Sequence, residues 1–186
     1  MKKLLSYFIV FTLLTFVSCE KDSDHDHDHD HHEEELMTTL TIAMTAEGNT
    51  SSFTFRDIDG DGGNEPTQDT IKLSANTTYT NAITILNETE DPAENVTLEI
   101  AEEELDHQFF FSSNITDMTI AYADSDANGN PIGISSTITT GAAGTGTFTV
   151  ILRHEPNKTA EGVSAGDITN AGGASDIEVI FNVVVE

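Results

Sequence analysis

The side chains best suited to binding a metal ion lie in a tract rich in histidine and aspartate, residues 24–35. Alternating histidine and aspartate along an extended chain places imidazoles on one side and carboxylates on the other. Imidazole favours Zn²⁺, Cu²⁺ and Ni²⁺, and a carboxylate can complete a tetrahedral zinc shell. The predicted ligands are His25, His27, His29, His31, His32, Asp26, Asp28 and Asp30. The tract therefore predicts binding of Zn²⁺ or a similar ion. The alternative is a disordered spacer, since the segment has almost no apolar residues.

A second candidate, this time for Ca²⁺, is the acidic stretch that begins at Asp57. A calcium loop places oxygen ligands at its positions one, three and five and a glycine at position six. That half-pattern is matched by Asp57, Asp59, Asp61 and Gly62. Gln68 replaces the glutamate expected at position twelve, although Glu65 or Asp69 could supply the missing carboxylate. The stretch predicts a calcium site or, alternatively, an acidic and glycine-rich turn.

The same calcium spacing recurs further along the chain, as a weaker candidate. Asp124, Asp126 and Asn128 supply the oxygens, and Gly129 follows them. Asn-Gly between two strands is also one of the strongest signals for a hairpin turn. The hairpin turn is the favoured interpretation of this stretch.

Two histidines outside the tract form the last candidate. If residues 101–107 make a helical turn, Glu103 and His107 share a face because they are four residues apart. His107 and His154 could then converge on one metal, although isolated histidines more often lie on the surface. The residues after His154, 155–174, show no strand pattern, which indicates a segment that is either disordered or functional.

The charge and the motifs exclude several classes of function. A formal net charge of −26 repels nucleic acids and anionic lipid surfaces, whereas it attracts cations. The chain has no tryptophan, which disfavours the aromatic platforms of sugar-binding proteins. It also contains no Gly-x-Ser-x-Gly, His-Glu-x-x-His or phosphate-loop motif. We therefore predict that the protein is not an enzyme.

The N-terminus has the features of an export signal. Lys2 and Lys3 precede an apolar run, residues 4–16, which is short for a membrane span, and the small residue Ser18 follows it. The only cysteine of the chain is Cys19, which has no partner for an internal disulfide. These features favour a signal peptide over residues 1–18, rather than a transmembrane anchor.

Val17-Ser18-Cys19 resembles the lipobox of bacterial lipoproteins, with Phe16 standing where that family usually has leucine. The resemblance implies cleavage before Cys19 and lipidation of its thiol, and several acyl chains make membrane attachment stable. Residues 20–24, Glu-Lys-Asp-Ser-Asp, resemble the acidic export signal of surface lipoproteins of the Bacteroidota. Together the two motifs imply a lipid anchor in the outer membrane, with the protein exposed on the cell surface.

From Leu36 onward the apolar residues alternate with polar ones at a period of two, which predicts strands. The predicted strands centre on residues 40–44, 53–55, 71–73, 79–85, 96–100, 118–122, 148–152 and 177–185. The last of them also has apolar residues on its second face, which predicts a central position in its sheet. All four prolines fall between these runs. Short strands separated by regular turn signals predict a sandwich or a barrel.

The segment from Leu73 to Tyr79 resembles the tyrosine corner of immunoglobulin-like domains, in which the tyrosine hydroxyl bonds back to the backbone. We therefore expect an all-β, immunoglobulin-like antiparallel sandwich over residues 36–186. It would follow the signal peptide, 1–18, and a disordered tether, 19–35.

Several short segments together are similar to small Bacteroidota lipoproteins, some of which carry the label "type 1 periplasmic binding fold superfamily". These segments are the Cys19 motif and residues 57–62, 86–89, 106–108, 126–133, 152–156 and 176–179. The label implies two α/β lobes, which a chain this short and this rich in β pattern does not fit.

Two functional hypotheses follow. The first is a lipid-anchored surface protein that binds Zn²⁺ through its tract and passes it to an outer-membrane transporter. The second is a structural or adhesive module that Ca²⁺ stiffens, with the tract as a spacer.

Overall fold

The computed structural model describes residues 36–60 and 62–186. Within them, ten strands alternate with loops, one α-helix and two short 3₁₀ turns. The strands are β1 (Thr39–Ala46), β2 (Asn49–Arg56), β3 (Thr67–Gln68), β4 (Ile71–Leu73), β5 (Thr78–Leu86), β6 (His107–Ser113), β7 (Thr119–Tyr122), β8 (Ser135–Thr139), β9 (Gly144–His154) and β10 (Ala174–Val185). The helix α1 spans Val96–Glu102, and the 3₁₀ turns span Val163–Ala165 and Ile168–Asn170. The predicted signal peptide, Cys19, the tract and Asp61 lie outside the described residues.

The strands form two sheets, which confirms the prediction of an all-β sandwich. One sheet has the order β3-β2-β1-β5-β8-β7, and the other has the order β4-β10-β9-β6. Neighbouring strands are antiparallel except for β4 and β10, which are parallel. Apolar side chains from both sheets meet in one buried cluster, which includes Leu40, Ile42 and Ile85 from the first sheet and Phe109, Phe148 and Phe181 from the second. No helix in the described part of the chain has the length and apolar character needed to span a bilayer.

The last strand is central, as its sequence predicts, but Ile180 on its outer face is exposed. β10 lies between β9 and β4, although β4 pairs only with Val183–Val185. Val179 and Phe181 point into the core, whereas Ile180 is 52% exposed. On the β4 side of β10, beyond the residues that β4 pairs, the Gln68 side chain donates a hydrogen bond to the Ile180 carbonyl at 2.9 Å.

Residues 96–100, which the sequence predicts as a strand, form the helix α1, so that prediction is wrong. Val96 and Ile100 are buried and Leu98 is 62% exposed. Positions i and i+4 share a face in both a strand and a helix. Position i+2 joins that face in a strand but points away from it in a helix, so Leu98 distinguishes the two. Asn95 begins the helix because its side chain accepts a hydrogen bond from the Thr97 amide. The Thr97 hydroxyl in turn bonds to both the amide and the carbonyl of Ile85, which fixes α1 against β5.

β6 is a strand that the sequence pattern did not reveal, because its phenylalanines are consecutive. Phe109 is buried in the sandwich core, and Phe110 is buried on the opposite face of the same strand. A strand covered on both faces reads as a continuous apolar run without alternation. Phe110 is covered by residues 155–173, which we call the strap.

Two local predictions are confirmed. The Tyr79 hydroxyl accepts a hydrogen bond from the Ser74 amide at 2.8 Å, as a tyrosine corner requires. The Gly129 amide bonds to the Asp126 carbonyl at 2.9 Å, which closes a turn around Asn128. That turn lies within the longer connection between the antiparallel strands β7 and β8. The broader likeness to immunoglobulin domains stays a prediction.

Candidate metal centre

Three potential metal ligands lie side by side at one end of the four-stranded sheet: His107, His154 and Asp176. They come from the neighbouring strands β6, β9 and β10, and His107 and His154 are direct partners across the β6–β9 ladder. One ligand atom from each residue lies within 4.8 Å of the others. Among the described residues, this is the one group of three or more histidine, cysteine or carboxylate side chains so arranged. The predicted convergence of the two histidines is therefore present, with Asp176 as an additional member.

Asp176 joins the group through an irregularity in β10. Ser175 pairs with Arg153, and Ile177 pairs with Leu152, the next residue of β9. Asp176 is thus the extra residue of a β-bulge. A bulge bends its strand and redirects a side chain, and bulges are frequent beside functional sites.

His107 is held in one orientation by the turn that follows α1. Its Nδ1 donates to the Glu103 carbonyl oxygen at 3.3 Å, and the Glu103 carboxylate is 3.8 Å from the same nitrogen. With the proton on Nδ1, the lone pair of neutral His107 is on Nε2. Nε2 faces the Asp176 carboxylate at 3.8 Å, which is too long for a hydrogen bond. Glu103 and His107 are in contact, although they are joined by a turn between α1 and β6 and not by the helical turn considered in the sequence analysis. Glu103 orients the imidazole from the side away from Asp176.

Burial keeps His107 in the form that can bind a metal. The residue is 3% exposed, and this burial lowers the pKa of His107 below its usual range, with the nearby His154 acting in the same direction. The Glu103 carbonyl and the carboxylates of Asp176 and Glu103 oppose that shift without cancelling it. Only the neutral imidazole has a lone pair for a metal, so at neutral pH no proton has to be removed from His107 before an ion binds.

The two imidazoles are stacked, with ring centroids 4.8 Å apart and an angle of 13° between their planes. Lone pairs lie in the ring planes, so one ring must tilt before both can face a single ion. Ligand atoms of a tetrahedral zinc site are about 3.3 Å apart, given Zn–N distances of about 2.0 Å. The group would therefore contract on binding. Two imidazoles and a carboxylate are ligands typical of zinc and related transition ions, and three protein ligands leave a coordination position open.

The carboxylates at Asp124 and Asp126 have other partners. Asp124 accepts hydrogen bonds from the amides of Gly133 and Ser135, both at 2.7 Å. Asp126 accepts from the amides of Asn128 and Asn130, both at 2.9 Å. These contacts organise the turn, and calcium binding there stays a prediction.

A buried cation occupies the space beside this turn: the ammonium group of Lys158. It donates to the Asp126 carboxylate at 3.1 Å, the Glu104 carbonyl at 2.5 Å and the Pro131 carbonyl at 3.2 Å. Lys158 and Asp126 are each only 5% exposed. Burial alone would raise the pKa of Asp126, but the amides of the turn and the Lys158 ammonium outweigh it and hold that pKa below its usual range. Sequence reasoning did not identify Lys158, although it is one of only seven lysines and arginines in the chain.

The stretch that begins at Asp57 folds as a turn in its described part. The Asp57 carboxylate accepts from the Gly60 amide at 3.0 Å, and Asp59 accepts from the backbone and side-chain nitrogens of Asn64. Those bonds from Asn64 lower the pKa of Asp59. Asp57, Asp59 and Glu65 line an open pocket of about 310 Å³. Asp61 lies outside the described residues, and calcium binding at this loop stays a prediction.

Asp69, the other possible substitute for the missing calcium ligand, has a structural partner. Its carboxylate accepts a hydrogen bond from the Thr54 amide of β2 at 2.9 Å. The predicted tract ligands, between His25 and His32, and the predicted lipidation residue Cys19 lie outside the described residues, so these roles stay predictions.

The sequence contained one signal for Asp176, which pattern analysis did not use. Asp176 directly precedes the alternating apolar run of β10, and a charged residue at the start of a buried strand needs a partner. The bulge itself has no such signal, because it depends on the pairing of β10 with β9.

No protein-family model, no curated protein and no solved structure matches this chain. Nothing in these comparisons points to an enzyme family.

Proposed function

We propose that this protein is a lipid-anchored surface protein that binds a divalent transition metal, with Zn²⁺ as the favoured ion. The β-sandwich would hold one ion between His107, His154 and Asp176, and the histidine-rich tract would collect further ions. The observation that carries the proposal is the convergence of two imidazoles and a carboxylate from three neighbouring strands.

A series of contacts links the start of β1 to the cluster. Residues 24–35 precede β1 closely, and the Thr38 amide bonds to the Leu86 carbonyl at the end of β5. The preceding residue of β5, Ile85, is bonded to Thr97 of α1. The turn after α1 contains Glu103, which contacts His107. The tract precedes the first of these contacts by only a few residues of the sequence, which supports a shared role for the two sets of ligands.

The geometry favours an exchangeable ion over a permanently bound one. Three protein ligands leave a coordination position for water or for a ligand from another protein. His154 and Asp176 are only partly buried, so an incoming ligand can reach the ion. Exchange of this kind is what a protein needs if it passes an ion to an outer-membrane transporter.

Competition for zinc with a chromophoric chelator tests the proposal. The mature protein, a variant lacking residues 24–35, and the variants His154→Gln and Asp176→Asn are titrated at pH 7.5. We expect the deletion to remove the weak sites and to leave one tighter site. Loss of one of the three ligands should lower the zinc affinity of that site by at least about tenfold. Removing a residue that only orients a ligand already lowers metal affinity by about that factor.

Glu178→Gln is the matched control for Asp176→Asn. It removes the same charge from the same strand, but Glu178 is exposed and lies two residues beyond the cluster. If Asp176→Asn and Glu178→Gln change zinc affinity equally, the effect is one of overall charge, and the proposed site is wrong. Retention of full affinity in His154→Gln would contradict it as well.

A further inference from the structure

The strap, residues 155–173, connects two of the proposed metal ligands. It begins directly after His154 and ends shortly before Asp176. Its two ends touch: Gly173 packs so closely on the His154 carbonyl that a side chain at position 173 has no room. The Asn157 amide also bonds to the Ala171 carbonyl at 2.7 Å, which joins the two limbs of the strap. The strap is therefore a closed loop whose base is the metal cluster.

The strap covers an apolar patch on the outer face of the four-stranded sheet. Val163 and Ala171 of the strap are fully buried, and they pack with Phe110 of β6 in a cluster that is separate from the sandwich core. Ile151 of β9 packs against the same cluster. The Gln108 side chain donates to the Val163 carbonyl at 3.0 Å, which adds a polar contact between strap and sheet.

A third attachment joins the strap to the turn that orients His107. Lys158, in the first limb, donates to the carbonyl of Glu104, the residue after Glu103. The Glu155 amide bonds to the Asp106 carbonyl in the same turn at 2.6 Å. The turn, the strap and the three ligands thus form one connected network.

We propose that metal binding controls how tightly the strap covers this apolar patch. The inference rests on the proposed metal site. An ion shared by His154 and Asp176 ties the two ends of the strap together, and the contraction that binding requires tightens its base. Without the ion, the strap opens locally more often and uncovers Phe110 and Ile151. Thermodynamic linkage makes the effect reciprocal, so loosening the strap must weaken metal binding by the same factor.

Hydrogen exchange on the full-length mature protein tests this inference. Exchange is measured with zinc and with a chelator, and peptides from residues 157–172 are followed as zinc is added. We expect zinc to slow exchange in the strap by at least about fivefold, the low end of typical coupling between sites. Peptides from the β1–β2 hairpin should not respond. In Asp176→Asn the tract still binds zinc, but the strap should lose its response.

Two matched substitutions test the reciprocal effect. Val163→Ala shortens a buried side chain of the strap, and Val185→Ala makes the same change at the far end of β10. We follow the zinc concentration at which the slowing of exchange in the strap reaches half of its maximum, which we call the half-protection concentration. It should rise about fivefold in Val163→Ala and should not change in Val185→Ala.

The outcomes separate the two proposals. If zinc binds with the ligand dependence described above but exchange in the strap does not change, the inference is overturned and the metal site stands. Equal half-protection concentrations in Val163→Ala and Val185→Ala would overturn it too. If zinc does not bind at His107, His154 and Asp176, both proposals fail.

Discussion

At the scale of single residues, His107 combines burial with a fixed orientation. A buried imidazole avoids the charged state, and the Glu103 carbonyl keeps its proton on Nδ1. Sequence analysis selected this histidine for its spacing from Glu103. The depressed pKa that suits it to metal binding comes from its burial at the base of β6, which spacing does not reveal.

His107 should make the metal-free protein sensitive to mild acid. Because its folded-state pKa is lowered, the unfolded chain binds the proton more readily, and stability falls as the pH drops below about 6.5. His107→Gln should flatten the dependence of unfolding free energy on pH between 7.5 and 5.5, measured by urea denaturation with a chelator present. The lowered pKa of Asp126 affects stability only at more acidic pH. An unchanged pH dependence in His107→Gln would show that other groups cause it.

Removal of the buried Lys158 ammonium should strongly destabilise the protein. Lys158→Met leaves the buried Asp126 carboxylate without its cation, and breaking such a pair costs about 3–5 kcal/mol. Asp126→Asn in the same chain should recover more than about 1 kcal/mol, because the two residues interact directly. The exposed residue Lys72 is the control, and Lys72→Met should stay within about 0.5 kcal/mol. If the changes in unfolding free energy of Lys158→Met and Asp126→Asn simply add in the double variant, the two side chains do not interact and the buried ion pair is contradicted.

At the scale of secondary-structure elements, α1 shows how one side chain separates two periodicities. Val96 and Ile100 face the core as they would in a strand, and the exposure of Leu98 identifies the helix. β6 and the bulge in β10 are equally dependent on context. Both arise from what packs against them: the strap covers the second face of β6, and β9 sets the register of β10.

The helix assignment can be tested with two similar truncations. Ile100→Ala empties a buried position and should cost about 2–5 kcal/mol. Leu98→Ala removes an exposed side chain and should change stability by less than about 0.5 kcal/mol. Urea unfolding of both variants decides between a helix and a strand, because a strand would bury Leu98 and Ile100 to a similar extent. Similar costs for the two substitutions would contradict α1.

At the scale of the whole molecule, the tether and the sandwich divide the proposed tasks. A net charge of −26 attracts cations over a distance that salt limits to about 10 Å at 0.1 M. In the proposed function, the tract would supply several weak ligands on one short segment, and the sandwich would supply one set held by three strands. Anchoring at Cys19 would hold both at the membrane surface.

The proposed anchor depends on a single atom, the sulfur of Cys19. Cys19→Ser keeps the length and polarity of the segment but removes the site of lipid attachment. We expect this variant to leave the membrane fraction and to lose labelling by radioactive palmitate, because several acyl chains supply the attachment energy. Membrane fractionation and labelling that match the unaltered protein would rule out the lipid anchor.

The all-β class, most of the strands and the Tyr79 contact followed from the sequence alone. In a strand, each side chain points opposite to its neighbours, so burial of one face leaves a period of two in the local sequence. Val150 of β9 and Val183 of β10 illustrate this, since each is buried where its alternation predicts. Turn residues such as Asn128 act over the same short range. The tract and Cys19 are also local features, and their metal and lipid chemistry could be predicted without a fold.

The inclusion of Asp176 in the candidate metal cluster, the burial of Lys158 and the packing of the strap were decided only by the tertiary structure. His107, His154 and Asp176 are far apart in the chain and meet because β6, β9 and β10 pair in one register, with a bulge that turns Asp176 toward the histidines. Register depends on the packing of whole sheets, and shifting it by one residue would send every side chain to the opposite face. Pairwise contacts of this kind leave no periodic signal in the sequence.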